Sequence, residues 1–241
     1  MAPALATYEP RDPSRMVLYT VIADHLETLL RYWTASSKAL TAKVHTIIRT
    51  TIAQYYVNQA VKGGVERPQV HPGSVTFIQR FGSALNLNVH YHVVFLEGVY
   101  LDHTEAGLKP RFIKVEPPSD ADIAEVLQKI SRRVIRTLRQ LGYLETGINT
   151  VATGYDPLRD DEPELARTMA ASITQRIAFG ERAGQHVRRI GSGFGDEGER
   201  PALTGPRCAS VSGFPLHANT QVPAHRRDQL DRIGISIFQL L

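Results

Sequence analysis

Apolar residues that recur every three or four positions predict helices at several places along the chain. Residues 14–30 show this spacing and predict a first helix, and the apolar positions from Val44 to Tyr55 predict a second one that ends before Gly63. The longest pattern runs over residues 123–141, with Ser119 placed as its N-cap. Residues 163–179 predict a further helix.

Shorter runs rich in β-branched and aromatic residues predict strands between these helices. Residues 74–81 predict one strand, residues 85–100 a longer one and residues 111–117 a third, in the order of an antiparallel meander. Residues 180–215 carry many glycines and prolines and indicate a long loop. A last strand is expected at residues 214–223.

Together these elements predict an α+β fold, in which helices pack on an antiparallel sheet. The chain has 241 residues, of which 42% are hydrophobic, so it can bury a sizeable core. We divide it into an N-terminal helical segment, residues 1–35, and a core of residues 36–241. The long loop falls within this core, at residues 180–208.

The composition also narrows the class of protein. No apolar run approaches the roughly 18 residues that a membrane-spanning helix needs. The first residues lack the basic and long apolar regions of a secretory signal. The single cysteine, Cys208, excludes a disulfide within the chain. The sequence therefore predicts a cytoplasmic protein with no membrane partner, and it does not define an oligomeric state.

A basic stripe on the helix over residues 123–141 is the main feature of the charge pattern. The net charge is +4, and 22 of the 28 basic residues are arginine, which forms forked hydrogen bonds to phosphate. The stripe consists of Lys129, Arg132, Arg133, Arg136 and Arg139. It is either a solvated helix face or a surface that follows the phosphates of a nucleic acid.

Two histidines stand on one side of the strand predicted at residues 85–100. Alternate residues of a strand share a face, and the odd positions from Leu85 to Phe95 are all apolar or aromatic. The even positions carry His90 and His92, whose backbones are about 7 Å apart. They are either two solvent-facing histidines or a site for a metal ion or phosphate.

Two histidines leave a metal site incomplete, because a catalytic divalent ion usually takes a third protein ligand. His217, on the strand predicted at residues 214–223, is our candidate for that ligand. Glu97 and Gln79 are weaker alternatives.

The segment "SVTFIQRFGSALNLNVHYHVVFLEGVY" resembles the strand-turn-strand core of rolling-circle insertion-sequence transposases, members of the HUH endonuclease superfamily. Its His-x-His motif is His90-Tyr91-His92. Further similarity lies in "RFIKVEPPSDADIAEVLQKISRRVIRTLRQLGYL" and "ASVSGFPLHANTQVPAHRRDQLDR". The resemblance covers roughly residues 40–232, and it implies a ferredoxin-like core.

This resemblance also implies an activity, DNA transposition and recombination by nicking and transfer of single-stranded DNA at insertion-element ends. His90 and His92 would hold Mg²⁺ or Mn²⁺, which polarises the scissile phosphate. A tyrosine would attack the phosphorus and remain joined to the 5′ end of the DNA.

The chain departs from the family in three places, one of which is that the family's sequence beyond the helix expected from residue 224 is absent. The cysteine-rich zinc domain of full-length relatives is missing, and Ser236 stands near the position of the expected tyrosine. All nine tyrosines lie at or before Tyr155. We therefore expect an internally deleted and C-terminally truncated copy without a catalytic residue of its own. Tyr55 and Tyr56, on the second predicted helix, are the substitutes considered.

Two other functions stay open at this point. One is a non-catalytic module that binds single-stranded DNA, and the other is a metal-dependent phosphoesterase. A phosphoesterase of this kind usually carries a second histidine motif, and the sequence contains no second His-x-His.

Overall fold

The structure is a computed structural model. The residues that it describes are 16–22, 34, 37–81, 87–102, 110–142, 161–173, 176–185, 200–211 and 214–223.

Nine strands and three α-helices make up the described part of the chain. The helices are α1 (Lys38–Lys62), α2 (Asp120–Gln140) and α3 (Pro163–Ile173). The strands are β1 (Met16–Ile22), β2 (Val70–His71), β3 (Ser74–Phe81), β4 (Leu87–Leu96), β5 (Gly98–Leu101), β6 (Arg111–Lys114), β7 (Ala202–Gly205), β8 (Cys208–Val211) and β9 (Phe214–Val222). None of the described helices is both long enough and apolar enough to cross a membrane.

The main sheet has six strands in the order β3-β4-β1-β9-β8-β7, and every neighbouring pair is antiparallel. Along the chain, β1, α1, β3, β4, α2 and β9 follow the β-α-β-β-α-β succession of ferredoxin-like folds. The split β-α-β arrangement arises because β4 lies between β1 and β3. The predicted α+β fold with an antiparallel sheet and packed helices is confirmed.

The first strand corrects the sequence analysis, which predicted a helix over residues 14–30. Residues 16–22 form β1, which pairs with β4 on one side and β9 on the other. Val17 and Val21 fit both a helical and an alternating period, but Tyr19 between them is also buried. Pairing on both edges decides the conformation here, because β-branched and aromatic residues pack well in a sheet. Residues 23–33 lie outside the described part.

The strand predicted at residues 85–100 is in fact divided between two sheets. It bends at Glu97, and the second half, β5, pairs with β2 and β6 in a separate three-stranded sheet. Both predicted pairings are observed, β3 with β4 and β5 with β6, but the break at Glu97 separates them, so they do not form one continuous meander. Gly98 follows the bend at a point where the carbonyl of Ile113 and the ring of Phe112 leave no space for a side chain.

The hydrophobic core lies between one face of the main sheet and the two long helices. Ser119 caps α2 in a full capping box with Asp122, as its sequence indicates. From the sheet, the core receives the residues of β1, β4 and β9 on the face that carries Tyr19 and Tyr91. Both long helices therefore pack on a single face of the sheet, and α3 also contacts β4.

The C-terminal half contains more strand than the predicted loop over residues 180–215 allows. Strands β7 and β8 form a hairpin there, and Arg207 in its turn has a left-handed backbone with φ of 51°. Asp120, at the start of α2, accepts a hydrogen bond from the backbone N–H of Arg207 at 2.6 Å. The helix predicted over residues 163–179 is observed as α3 and ends by Ile173. The last predicted strand is confirmed as β9.

Candidate functional site

His90 and His92 lie side by side on the face of β4 that points away from α1 and α2. Their ring centroids are 5.9 Å apart and the ring planes are inclined by 67°. Tyr91 and Val93 are fully buried in the core on the opposite face. The predicted geometry of the motif is confirmed, because alternate residues of a strand project to opposite sides.

His92 has a polar contact at each ring nitrogen. Its Nδ1 lies 3.2 Å from the hydroxyl of Thr20 on β1, and its Nε2 lies 3.1 Å from Oε1 of Gln79 on β3. Since an amide oxygen only accepts, this orientation corresponds to a neutral ring protonated at Nε2, with the Thr20 hydroxyl donating to Nδ1. A metal ion bound by His92 would therefore replace one of these two hydrogen bonds.

The acidities of the histidines favour ligation. Burial lowers the pKa of His92, and burial likewise lowers the pKa of His217. Because its pKa lies below the ordinary range, each imidazole stays neutral at physiological pH and keeps a lone pair for a cation.

His217 shares the face of the pair but lies two strands away. Thr20 of β1 pairs with His92 on one side and with His217 on the other, so the three residues form one row across the sheet. Neighbouring strands are about 4.8 Å apart, which puts the backbones of the two histidines roughly 10 Å apart. The nearest partner of His217 is Cys208, with Nδ1 and Sγ 3.3 Å apart. Its role as a third ligand stays a prediction.

The two weaker candidates for a third ligand, Gln79 and Glu97, lie in different places. Gln79 is buried beside His92, as described above. Glu97 is also buried, but it accepts a hydrogen bond from Gln221 at 3.3 Å and raises the pKa of Tyr19 and Tyr56, so it lies near the core tyrosines. Across the described ranges, no three His, Cys, Asp or Glu side chains are grouped closely enough to hold a metal ion.

The tyrosines considered as substitute nucleophiles lie on the wrong side of the sheet. Tyr56 is fully buried, hydrogen-bonds to Tyr19 at 2.9 Å and stacks on Phe95. Tyr55 is half-buried and lines a groove between α1 and α2. The position of Ser236 lies outside the described residues.

Four of the five residues of the basic stripe line that same groove. They are Lys129, Arg132, Arg133 and Arg136, whereas Arg139 is not part of its lining. Two of these four side chains already have partners within the protein. Lys129 forms an ion pair with Glu125 at 2.6 Å, and Arg133 donates to Thr50 and Thr51 at 3.1 and 2.7 Å.

Thr20 is the site residue that sequence reasoning missed. It lies in the segment predicted as a helix, so nothing placed it beside β4. A usable signal exists in "MVLYTVI", because Val17, Tyr19 and Val21 form a β-branched and aromatic face, and Thr20 is the one polar residue on the opposite parity. As a strand, this segment brings Thr20 to His92.

The fold and the histidine pair together define a ferredoxin-like α+β protein with a polar site on the face of its sheet that points away from the two long helices. Residues 73–188, slightly less than half of the chain, match a family model described as "Putative transposase". The match includes β3, β4 and α2, and with them His90 and His92, but neither β1 nor β9. No curated protein and no solved structure matches the chain. At the level of the family, the match indicates DNA transposition and interaction with DNA.

The lowered pKa of His92 predicts acid sensitivity. Unfolded His92 takes up a proton below about pH 6.5, whereas the folded residue does so only at a lower pH. The free energy of unfolding should therefore decrease as the pH falls below about 6.5. We would measure the free energy of unfolding by urea in EDTA, at about pH 7.5 and at about pH 5.5. Its decrease between these two pH values should be smaller for His92→Gln than for the unchanged protein. The exposed His71→Gln serves as control, and an equal decrease in both variants would contradict the prediction.

Proposed function

We propose that this chain derives from a transposase that nicks single-stranded DNA with a divalent ion held at His90 and His92, and that it binds the DNA and the ion but is defective in cleavage on its own. The observation that carries the proposal is the histidine pair on the face of a ferredoxin-like sheet that points away from α1 and α2, within the segment that matches the transposase family. The sequence resemblance to HUH transposases supports the same activity, with nicking and strand transfer at insertion-element ends.

The donor set suits Mn²⁺ better than Mg²⁺. Two imidazole nitrogens and the amide oxygen of Gln79 are available at one place, and imidazole is a softer ligand than the oxygen donors that Mg²⁺ prefers. A bound ion would polarise the scissile phosphate and offset the negative charge that develops on it. With Nε2 of His92 and the amide oxygen of Gln79 on the ion, Thr20 would hold the ring of His92 through its Nδ1, as second-layer hydrogen bonds do for other metal-binding histidines.

A second candidate function is a non-catalytic module that binds single-stranded DNA. It is favoured by the positions of the described tyrosines, because Tyr19, Tyr56 and Tyr91 are buried on the core side of the sheet. Tyr55 lies between the helices, and Tyr100 packs on Phe112 in the smaller sheet. No observation favours the phosphoesterase alternative.

The proposed metal site is tested by Mn²⁺ binding. His90→Ala and His92→Ala should each weaken Mn²⁺ binding by at least about tenfold, since loss of a ligand costs no less than loss of a supporting hydrogen bond. Isothermal calorimetry measures the affinity, and the fraction of free Mn²⁺ in electron paramagnetic resonance gives an independent value.

The matched control is His71→Ala, which removes an exposed histidine from β2 in the smaller sheet. It should bind Mn²⁺ as the unchanged protein does. Equal affinities for the unchanged protein and the His90→Ala/His92→Ala double variant would refute the metal site. His217→Ala, measured in the same series, tests the proposed third ligand.

A further inference from the structure

A groove runs between α1 and α2 on the side of the protein opposite to the histidines. It has a volume of about 690 Å³ and is lined by residues of both helices and by Arg67. The helices that form it pack on the face of the sheet that carries Tyr91, while His90 and His92 are on the other face. The groove and the histidine site are therefore separated by the full thickness of the sheet and its core.

Charge is concentrated in this groove. Its lining includes six basic side chains and two acidic ones, and one of the acids, Glu125, is already paired with Lys129. The whole chain carries 28 basic and 24 acidic residues, so its excess of four positive charges equals the excess in this one groove. Such a local excess attracts a polyanion.

The uncharged lining has the chemistry of nucleobase recognition. Gln54 donates to Asn58 at 2.9 Å, and Arg67 donates to the same amide oxygen at 2.9 Å, so the polar groups on the α1 side of the groove are held in place. Tyr55 adds a half-buried aromatic ring to the same surface. Sites for single-stranded nucleic acid combine three kinds of group. Amides bond to base edges, aromatic rings stack on bases, and cationic side chains bind phosphates.

Two of the cations are best placed to meet phosphate. Arg132 and Arg136 are exposed, and they lie one turn apart on α2. By contrast, Arg133 is held by Thr50 and Thr51 of α1, and its contacts join the two helices. Arg132 and Arg136 can therefore be replaced without breaking the contact between the helices.

We propose that the groove between α1 and α2 is a second binding site, which holds a segment of single-stranded DNA distinct from the segment at the histidines. Nucleotides bound in the groove cannot also contact the histidines, because the sheet lies between the two sites. The two sites therefore bind separate segments of one DNA molecule, or two different DNA molecules. The proposal deepens the proposed function, on which it rests only for the identity of the substrate as DNA.

The test is fluorescence anisotropy with a labelled single-stranded oligonucleotide in EDTA, which removes any metal from the histidines. Arg132→Ala/Arg136→Ala should bind at least about tenfold more weakly than the unchanged protein. Each lost phosphate contact reduces the salt dependence of log K by about 0.7, so two contacts reduce it by about 1.4. The matched control is Arg111→Ala/Arg182→Ala, which removes the same charge from exposed positions outside the groove and outside the basic stripe.

A second variant separates stacking from charge. Tyr55→Leu keeps apolar bulk but removes the ring, so affinity should fall about fivefold or more while the salt dependence stays unchanged. Photocrosslinking with an oligonucleotide that contains 5-iodouracil should give adducts on peptides of α1 and α2 in the unchanged protein. Because every measurement is made in EDTA, with no ion at the histidines, failure of the metal site leaves this test intact.

Equal losses in the groove and control double variants would overturn the proposal, because binding would then reflect total charge alone. Competition by polyglutamate as effective as competition by unlabelled oligonucleotide would also overturn it, in favour of an acidic peptide as the occupant. Crosslinks confined to peptides of β3 and β4 would place the DNA on the histidine face instead.

Discussion

Incubation of this chain with single-stranded DNA and Mn²⁺ is expected to yield no covalent protein–DNA adduct. Formation of a phosphotyrosine requires the tyrosine hydroxyl to stand in line with the scissile phosphate. Such positioning lowers the activation barrier by about 7–11 kcal/mol. Tyr56 and Tyr91 are buried on the core side of the sheet, and burial raises the pKa of both far above its ordinary value. Near Ser236, the sequence has no tyrosine to take their place.

The assay uses a 3′-labelled single-stranded oligonucleotide that carries an insertion-element end, followed by a denaturing gel. Labelled DNA that migrates with the protein would contradict the expectation, and mass spectrometry of the adduct would identify the tyrosine. An adduct on Tyr143 or Tyr155, which lie outside the described residues, would make the chain a nicking enzyme in its own right. Loss of that adduct in His90→Ala/His92→Ala would connect it to the metal site.

Replacement of Gly98 by alanine is expected to destabilise the protein by about 3 kcal/mol, the upper end of the usual cost of overpacking. A Cβ at this position would overlap with the carbonyl oxygen of Ile113 and with the ring of Phe112 on β6. Relief requires β5 and β6 to separate, although they pair along their whole length. For a domain of this size, the melting temperature should fall by roughly 6–12 °C.

Gly73→Ala is the matched control for this experiment. A Cβ there would approach only the flexible end of Leu96, at 3.2 Å, so a small side-chain movement accommodates it. Urea unfolding should therefore show little change for Gly73→Ala and a large shift of the midpoint for Gly98→Ala. Similar midpoints in the two variants would show that β5 and β6 are not closely paired in solution.

The elements that the sequence predicts well are those in which one period dominates. Helix α2 has an apolar face every three to four residues and a capping box at its start, so local chemistry alone determines it. Strand β4 alternates so sharply that the common face of His90 and His92 follows from parity. In β1, two periods coexist in seven residues, and only pairing with β4 and β9 chooses between them.

The site was predictable only in the parts that lie on one element. His90 and His92 are two residues apart, so their proximity is encoded locally. The contacts of His92 with Thr20 and Gln79 depend on the register of three strands, which no local pattern specifies. Likewise, the basic stripe was visible on α2, but the amides and the tyrosine that face it belong to α1.

The central position of β1 has a consequence for the order in which the protein assembles during translation. Met16 pairs with Leu96 on one side and with Val222 on the other. The half of the sheet with β3, β4 and β1 can form once Leu96 has left the ribosome, but the second edge of β1 waits for β9. At ~5–20 residues per second, the intervening residues take roughly 6–25 s to synthesise. Throughout that interval, the nascent chain presents the unpaired backbone of β1 to any strand that meets it.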